Sequence, residues 1–284
     1  MGSDETHDTL EDWLESSPYW TKHADAIREM LAPITAGLIE QSGIAEGQVV
    51  LDIAGGVGDP SLPIGEKIVG GPGRVTCTDA VLNMVSTANQ RANHRGLDNI
   101  DFVCCLGDSI PFPSGTFDVV VSRLGVMLFA NPSAAIAEML RVLKPGGVLS
   151  LAVWARREAN PFFYVVAEVI ARYIEAVPEP ADAPGAFRFA EPGSLAAVIK
   201  EAGGIEVTER SLKFNIESAL TPEQYWPIRV DISDTLRKKV AALSPDQRSR
   251  AANEAIEASR KFFPHGKMHF PAEVNIVSAR NPSR

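Results

Sequence analysis

Three carboxylates and a glycine-rich turn are the residues of this chain whose types and spacing suggest chemistry. Asp52 precedes the turn Ala54-Gly55-Gly56-Val57-Gly58, Asp79 ends the next apolar segment, and Asp108 follows the segment after that. Small residues allow a ligand to come close to the backbone of a tight turn. Carboxylates accept hydrogen bonds from hydroxyls and amines and attract cationic groups. Together these residues predict a site for a ligand that carries hydroxyl groups and positive charge.

The glycine turn has to be compared first with the Gly-x-Gly-x-x-Gly fingerprint of dinucleotide-binding proteins, in which a helix N-terminus receives a pyrophosphate. Counted from Gly56, the second glycine is present at Gly58, but the third position holds Ser61. Asp59 stands where the helix should begin, and its carboxylate repels a pyrophosphate. The turn therefore disfavours a dinucleotide, although the spacing from the turn to Asp79 suits a nicotinamide enzyme equally well.

An adenosyl ligand without phosphate, S-adenosylmethionine, fits these residues better. Its ammonium is expected to meet Asp52 directly or through water, and its ribose hydroxyls to meet Asp79. Asp108 can accept from the exocyclic amine of adenine, while the Ser109 amide donates to a ring nitrogen. Arg123 ends a further strand, at the edge where ligands bind in open α/β folds. It can bind the cofactor carboxylate or the substrate, or only cover the adenosine.

The elements that must position these residues alternate between strand and helix. Valine-rich runs at 49–54, 74–79, 100–106, 117–123 and 147–155 are typical of strands that are buried on both faces. The clearest helix spans 132–143, with Asn131 as its N-cap. Residues 8–42 have a helical periodicity that Pro33 should divide or kink. The alternation predicts a doubly wound parallel sheet.

With these motifs in place, the chain resembles class I S-adenosylmethionine-dependent methyltransferases, and most closely the ubiquinone/menaquinone-biosynthesis group and related small-molecule methylases. The resemblance is carried by VVLDIAGGVGD, TDAVLNM, GDSIPFPSGTFDVVVSR and EMLRVLKPGG, and it covers about 49–155. It implies a Rossmann-like, seven-stranded doubly wound sheet, with final strands at 205–214 and 272–280. It also implies S-adenosyl-L-methionine as donor, S-adenosyl-L-homocysteine as product, and cofactor roles for Asp52, Gly56, Gly58, Asp79 and Asp108.

The complete set of residues expected at the cofactor combines the residue-based inferences with this resemblance. Tyr19 is included because an aromatic face attracts a sulfonium, although it can equally anchor the N-terminal helix. Met127 lies where quinone-type members often have a histidine, which argues against a quinone acceptor. The expected cofactor residues are Tyr19, Asp52, Ala54, Gly55, Gly56, Gly58, Asp79, Ala80, Met84, Gly107, Asp108, Ser109 and Arg123.

The segments without a counterpart in the family are expected to form a helical lid over the acceptor. The predicted organisation is an N-terminal lid at 1–42, a core at 43–214 and 271–284 with a lid-forming insertion at 156–190, and a helical lid insertion at 215–270. Aromatic residues in these segments favour a hydrophobic or aromatic acceptor. The expected pocket residues are Trp20, Trp154, Phe163, Tyr225 and Trp226, and the candidate bases are His265 and His269.

The predicted activity is methyl transfer to the oxygen or carbon of a small acceptor, either a secondary metabolite or a quinone-like compound. Two alternatives stay open: a non-methylating relative, such as a cyclase or binding protein, that uses the cofactor as a scaffold, and an NAD-dependent oxidoreductase. The charge of Asp59 counts against the oxidoreductase.

Composition limits the partners and the compartment. The net charge of −9 and the pI of about 5.1 argue against binding of nucleic acid. The sequence has no apolar run of membrane-spanning length, and no Cys/His spacing suggests a metal site. Three cysteines favour a reducing, cytoplasmic location, with Cys104 and Cys105 in the core of the third strand. The expected partner is a small-molecule acceptor, and a homodimer is left open.

Overall fold

Seven strands form one sheet in the computed structural model, which describes residues 2–68, 71–174 and 182–282. They are β1 (Val49–Ile53), β2 (Arg74–Asp79), β3 (Ile100–Cys104), β4 (Phe117–Arg123), β5 (Leu143–Trp154), β6 (Ile205–Ser218) and β7 (Met268–Arg280). Their order across the sheet is β3-β2-β1-β4-β5-β7-β6. The predicted seven-stranded, Rossmann-like doubly wound sheet is confirmed.

The direction of β7 differs from the prediction of a wholly parallel sheet. Strands β1 to β5 run parallel, whereas β7 pairs antiparallel with both β5 and β6. The chain leaves β6 at the carboxyl edge of the sheet, and the helices that follow contribute to a cavity at that edge. Since the chain re-enters the sheet from the same edge, β7 must run in the opposite direction.

Ten helices flank the described sheet. They are α1 (Gly2–Lys22), α2 (Ala24–Ser42), α3 (Ser61–Ile68), α4 (Leu82–His94), α5 (Pro132–Val142), α6 (Pro161–Ala171), α7 (Ser194–Glu201), α8 (Pro222–Asp231), α9 (Asp234–Ala241) and α10 (Pro245–Ser259). α3 and α4 pack near β2 and β3, whereas α2 packs across β4 to β7. None of the helices in the described ranges has both the length and the apolarity needed to cross a membrane.

The predicted helices agree with the structure where local sequence signals fix their ends, and they differ where packing against the rest of the protein determines how far a helix continues. Asn131 caps α5 as expected, since its side chain accepts from the Ala134 amide. The N-terminal helices separate at His23, and α2 continues through Pro33 because its apolar face, which includes Leu38, is fully buried. The expectation that Pro33 divides this segment is therefore wrong.

The cysteine prediction is also corrected by the fold. Cys77 is buried, but Cys104 is exposed and Cys105 is only half-buried. The reason is that β3 lies at the edge of the sheet and not between two other strands.

The boundaries of the predicted 215–270 insertion differ in the structure, because β6 continues to Ser218 and β7 begins at Met268. In the lid-forming insertion predicted at 156–190, residues 175–181 lie outside the described ranges.

Candidate functional site

A cavity of about 610 Å³ lies at the carboxyl ends of β1, β2 and β4. Its floor includes Gly56, Asp79 and Arg123 from the ends of these strands, and residues of α1, α2, α8 and α9 line it as well. The volume falls within the range of about 300–1,000 Å³ that small-molecule sites usually have. The residues with predicted chemistry and the segments predicted to form a lid thus meet at one site.

The glycine turn after β1 has one face toward the cavity and one toward the core. Gly56 lines the cavity in the left-handed region, with φ of 56°, and a Cβ built on it would meet no atom within 4 Å. A Cβ on Gly55 would lie 2.7 Å from both Asp52 Oδ2 and Cys77 Sγ. Gly56 therefore leaves room for a ligand, whereas Gly55 is small because the protein packs against it.

Asp79 connects the end of β2 to this turn. One carboxylate oxygen accepts from the Gly56 amide at 3.0 Å, and the other accepts from the Val81 amide at 2.9 Å. Burial raises the pKa of Asp79, although these backbone hydrogen bonds oppose the increase. The carboxylate is consequently fixed at the cavity wall, where each oxygen retains a lone pair for a ligand hydroxyl.

Asp52 lies beneath the turn and not on the cavity wall. Its Oδ2 accepts from the Ser61 hydroxyl at 2.6 Å and from the Ser61 amide at 3.1 Å, whereas its Oδ1 is buried without a hydrogen-bond partner. Complete burial raises the pKa of Asp52 to about 7, while Ser61 and the positive charge of Arg123 oppose the increase. Asp52 is thus placed to support the turn and Ser61 rather than to contact a ligand directly.

A second buried acid, Asp59, does reach the cavity. It forms an ion pair with Arg91 at 3.2 Å, and its Oδ1 is buried without a partner. Arg123 is also buried and donates to Thr35 Oγ1 at 2.8 Å. Burial lowers the pKa of Arg123, and the charges of Asp59 and Asp52 counteract this effect. Near the floor of the cavity, a buried carboxylate is therefore combined with two arginines, which balance its charge.

Aromatic side chains surround the end of the cavity away from the turn. The rings of Trp154 and Phe163 meet at 4.8 Å, and Phe162 lies next to Phe163 with ring centroids 5.7 Å apart. On α1, the rings of Trp13 and Trp20 pack with their centroids 5.7 Å apart. This part of the cavity can hold an apolar or aromatic group.

Polar contacts fasten α1 to α9 above the cavity. Lys238 Nζ lies 2.6 Å from Asp12 Oδ1 and 2.8 Å from Asp234 Oδ2. The guanidinium of Arg237 stacks over the ring of Tyr19 at 4.7 Å. Tyr19 therefore contacts α9, and the structure does not place it on the cavity wall.

The cavity brings together twelve of the residues that the sequence predicts for cofactor or acceptor. Those on its wall are Ala54, Gly55, Gly56, Asp79, Ala80, Met84, Gly107, Asp108 and Arg123 from the cofactor set, and Trp20, Trp154 and Phe163 from the acceptor set. Those away from the wall are Tyr19, Asp52, Gly58, Ser109, Tyr225, Trp226, His265 and His269.

The histidines and Tyr225 illustrate why some predicted residues lie elsewhere. His265 and His269 are exposed near the start of β7, and His269 Nδ1 lies 3.0 Å from Glu217 Oε1. Tyr225 is fully buried and donates to the Phe162 carbonyl at 2.8 Å. The structure brings neither histidine to the cavity.

Sequence reasoning did not single out several of the wall residues. Trp13, Val81 and Phe129 line the cavity through apolar contacts that helical or strand periodicity alone cannot assign to a ligand. Arg229 also lies on the wall, although only 4% of the residue is exposed. A charged residue within the apolar pattern of α8 is the one signal that could have drawn attention to it.

Comparisons with known proteins agree with this geometry. Residues 51–151 match the family model of a methyltransferase domain. The ubiquinone/menaquinone biosynthesis C-methyltransferase UbiE of Shewanella pealeana is 39% identical over 112 residues, which are 39% of this chain and 44% of that protein. The segment 51–151 that matches the methyltransferase domain contains the glycine turn, Asp79 and Asp108, so the predicted resemblance to S-adenosylmethionine-dependent methyltransferases is confirmed. The match covers less than half the length of that relative.

Solved structures extend the similarity over most of the chain at the level of the fold. Haemonchus contortus phosphoethanolamine N-methyltransferase 2, in complex with S-adenosyl-L-methionine, has a TM-score of 0.58 at 16% identity and covers 96% of this chain and 60% of that one. The [4+2]-cyclase SpnF has a TM-score of 0.53 at 22% identity and covers 88% and 80%, respectively. These similarities confirm the class I methyltransferase fold.

Proposed function

We propose that the protein transfers a methyl group from S-adenosylmethionine to the oxygen or carbon of a small hydrophobic or aromatic acceptor. The observation that carries this proposal is that one cavity joins the turn at Gly56 and the carboxylate of Asp79 to a cluster of aromatic side chains. The cofactor would occupy the end at the turn, and the acceptor would occupy the aromatic end.

The residues at the turn fit the cofactor. Gly56 leaves open space beside the backbone, Asp79 can accept from the ribose hydroxyls, and Asp108 can accept from the adenine amine. When bound, the cofactor supplies an electrophilic methyl group, and its carbon–sulfur bond breaks as the bond to the acceptor forms.

The protein would contribute mainly by positioning the acceptor and excluding water. Holding two reactants in line can lower a barrier by about 7–11 kcal/mol in favourable cases. We propose that α1, α8 and α9 act as the lid, because they cover the cavity and the ion pairs of Lys238 connect α1 to α9. Among the described wall residues there is no histidine, lysine or tyrosine. The side chains on this wall that could accept a proton include carboxylates, such as Asp59 and Asp234, which are weak bases, so we propose an acceptor that loses its proton readily, such as a phenol, an enol or an acidic carbon.

The lack of a histidine, lysine or tyrosine on the described wall keeps a second candidate in view, a non-methylating protein that uses the cofactor as a scaffold. Incubation with methyl-labelled cofactor and fractions of small-molecule extract separates the two functions. Label in a new product would exclude the scaffold role, whereas a protein that binds the cofactor and labels nothing would favour it.

Substitution of Asp79 by asparagine tests the cofactor site directly. The change removes the negative charge that would accept two ribose hydroxyls, and a hydrogen bond to a charged group contributes about 1.5–3 kcal/mol. We expect calorimetry to show binding of S-adenosylhomocysteine to the natural protein and an affinity about tenfold to a hundredfold lower in Asp79→Asn.

Asp101→Asn is the matched control, because Asp101 is an exposed acid on β3 that pairs with Arg74 at 2.7 Å. This variant should bind S-adenosylhomocysteine as the natural protein does. Equal affinity in the Asp79 and Asp101 variants, or no heat from the natural protein at millimolar ligand, would contradict the proposed cofactor site.

A further inference from the structure

Arg229 is a buried cation in the aromatic part of the cavity. The residue is 4% exposed, lies on α8, and lines the cavity together with Phe162 and Phe163. Its guanidinium carbon is 5.0 Å from the ring centroid of Phe162 and 5.2 Å from that of Phe163. Its Nε donates to the Phe162 carbonyl at 2.9 Å. The flat guanidinium is therefore held in a fixed orientation at the acceptor end.

Within the described part of the chain, this guanidinium has no carboxylate at ion-pair distance. Its titratable neighbour is the neutral hydroxyl of Tyr225, and burial lowers the pKa of Arg229. Arg123, on the same cavity wall, also forms no ion pair within 4.0 Å among the described residues, but the charges of Asp59 and Asp52 act on it, whereas no acid acts on Arg229 in this way. A buried charge without a counterion is costly, and contact with aromatic faces compensates only in part.

The acids of the lid are already engaged and do not supply the missing charge. Asp234, which lines the same cavity, contacts both Arg237 and Lys238, and Asp12 contacts Lys238. A ligand that brings its own negative charge would give Arg229 the counterion that these residues do not provide. The planar fork of a guanidinium matches the geometry of a carboxylate in particular.

We propose that Arg229 binds a carboxylate of the acceptor, so that the substrate class is an aromatic or hydrophobic carboxylic acid. The inference rests on the proposed function, because it assigns the aromatic end of the cavity to the acceptor. The carboxylate pairs with the guanidinium, the apolar body packs against Phe162, Phe163 and Trp154, and the atom to be methylated points toward the turn.

A pair of fluorescent probes tests this assignment. 1-Hydroxy-2-naphthoate and 1-hydroxy-2-naphthamide share a body and differ in charge, and each is titrated with and without S-adenosylhomocysteine. We expect the natural protein to prefer the carboxylate by about tenfold or more. Arg229→Met should lose the preference, Arg229→Lys should retain part of it, and Arg210→Met, an exposed site on β6, should keep it in full.

Equal affinity for the two probes, binding of neither, or a preference that survives in Arg229→Met would overturn the proposal. Calorimetric titration of the natural protein with S-adenosylhomocysteine alone distinguishes this failure from a failure of the proposed function. If that heat is absent while Arg229 still selects the carboxylate, the cofactor assignment fails and the anion site stands.

The stability of the free protein provides a second, independent measurement. The Phe162 carbonyl keeps the Tyr225 hydroxyl as donor at 2.8 Å, so Arg229→Met does not leave this carbonyl unpaired. If Arg229 serves a ligand, the methionine variant should melt at the same or a higher temperature without ligand. A melting temperature lower by several degrees would identify Arg229 as a structural group and overturn the proposal.

Discussion

Replacement of Asp52 by asparagine should change the pH dependence of stability more than any exposed substitution. Asp52 is fully buried, and burial raises its pKa from 3.8 to about 7 in the folded protein. The unfolded chain releases the proton near the lower value, so folding becomes less favourable as the pH rises between these two values. The stability that this group contributes is fully present below pH 3.8 and is lost as the pH rises through about 7.

The magnitude follows from the same two pKa values. Between pH 5 and pH 8, the change in protonation of Asp52 should lower the free energy of unfolding by about 3 kcal/mol. Asparagine keeps an oxygen that can accept from the Ser61 hydroxyl and amide, which Oδ2 accepts from in the natural protein at 2.6 Å and 3.1 Å. Asp52→Asn should therefore match the natural protein only below about pH 3.8, and its advantage in stability should grow by about 3 kcal/mol between pH 5 and pH 8.

Urea unfolding at several pH values measures this difference. Other titrating groups, including Asp79, are present in both proteins and largely cancel in the comparison. Asp101→Asn, on the exposed part of β3, should follow the natural protein at every pH. A constant difference between Asp52→Asn and the natural protein from pH 5 to pH 8 would refute the assignment of a raised pKa to Asp52.

Two further predictions concern packing around the turn. Gly55→Ala places a methyl group 2.7 Å from Asp52 Oδ2 and should cost about 1–3 kcal/mol of stability. Gly56→Ala has open space but keeps a left-handed φ of 56°, so it should cost about 1–2 kcal/mol of stability and also weaken S-adenosylhomocysteine binding; thermal melts and calorimetry measure both. Arg91→Ala leaves the carboxylate of Asp59 buried and unpaired and should cost about 3–5 kcal/mol in urea unfolding.

Matched variants distinguish these effects from general damage. Gly71→Ala, where the nearest atom would be 3.7 Å away, should leave both stability and binding unchanged. Arg95→Ala breaks an ion pair with Glu66, whose side chain is 49% exposed, and should cost less than about 1 kcal/mol. The two arguments fail if Gly56→Ala binds S-adenosylhomocysteine normally, or if the Arg91 and Arg95 variants lose equal stability.

The sequence carried most of the information about the strands and the turn. Buried strands need continuous apolar runs, so β1, β2 and β4 could be placed within a residue or two, and the residues at their ends could be assigned to one edge. The predicted break at Pro33 and the core position of Cys104 were wrong, because local patterns do not specify how strongly a helix face is packed or which strand lies at the edge of the sheet.

Most of the predicted site residues that follow strands line the cavity, whereas several of those on helices and loops do not. Gly56, Asp79 and Asp108 reach the cavity because their position in the chain follows directly from the strand that precedes each of them. Tyr19 and His265 do not reach it, since a helix or a loop can present a side chain in many directions and distant contacts select one.

The amino-acid sequence by itself therefore determined the sheet, the glycine turn and the acids at its carboxyl edge, because strand periodicity and turn chemistry are local properties. Only the tertiary structure decided that Asp52 lies beneath the turn and that α1 and α9 meet over the cavity. It also decided that the guanidinium of Arg229 lies over the rings of Phe162 and Phe163, with no carboxylate at ion-pair distance in the described ranges. Burial and charge pairing depend on residues far apart in the chain, and the folded packing alone brings those residues together.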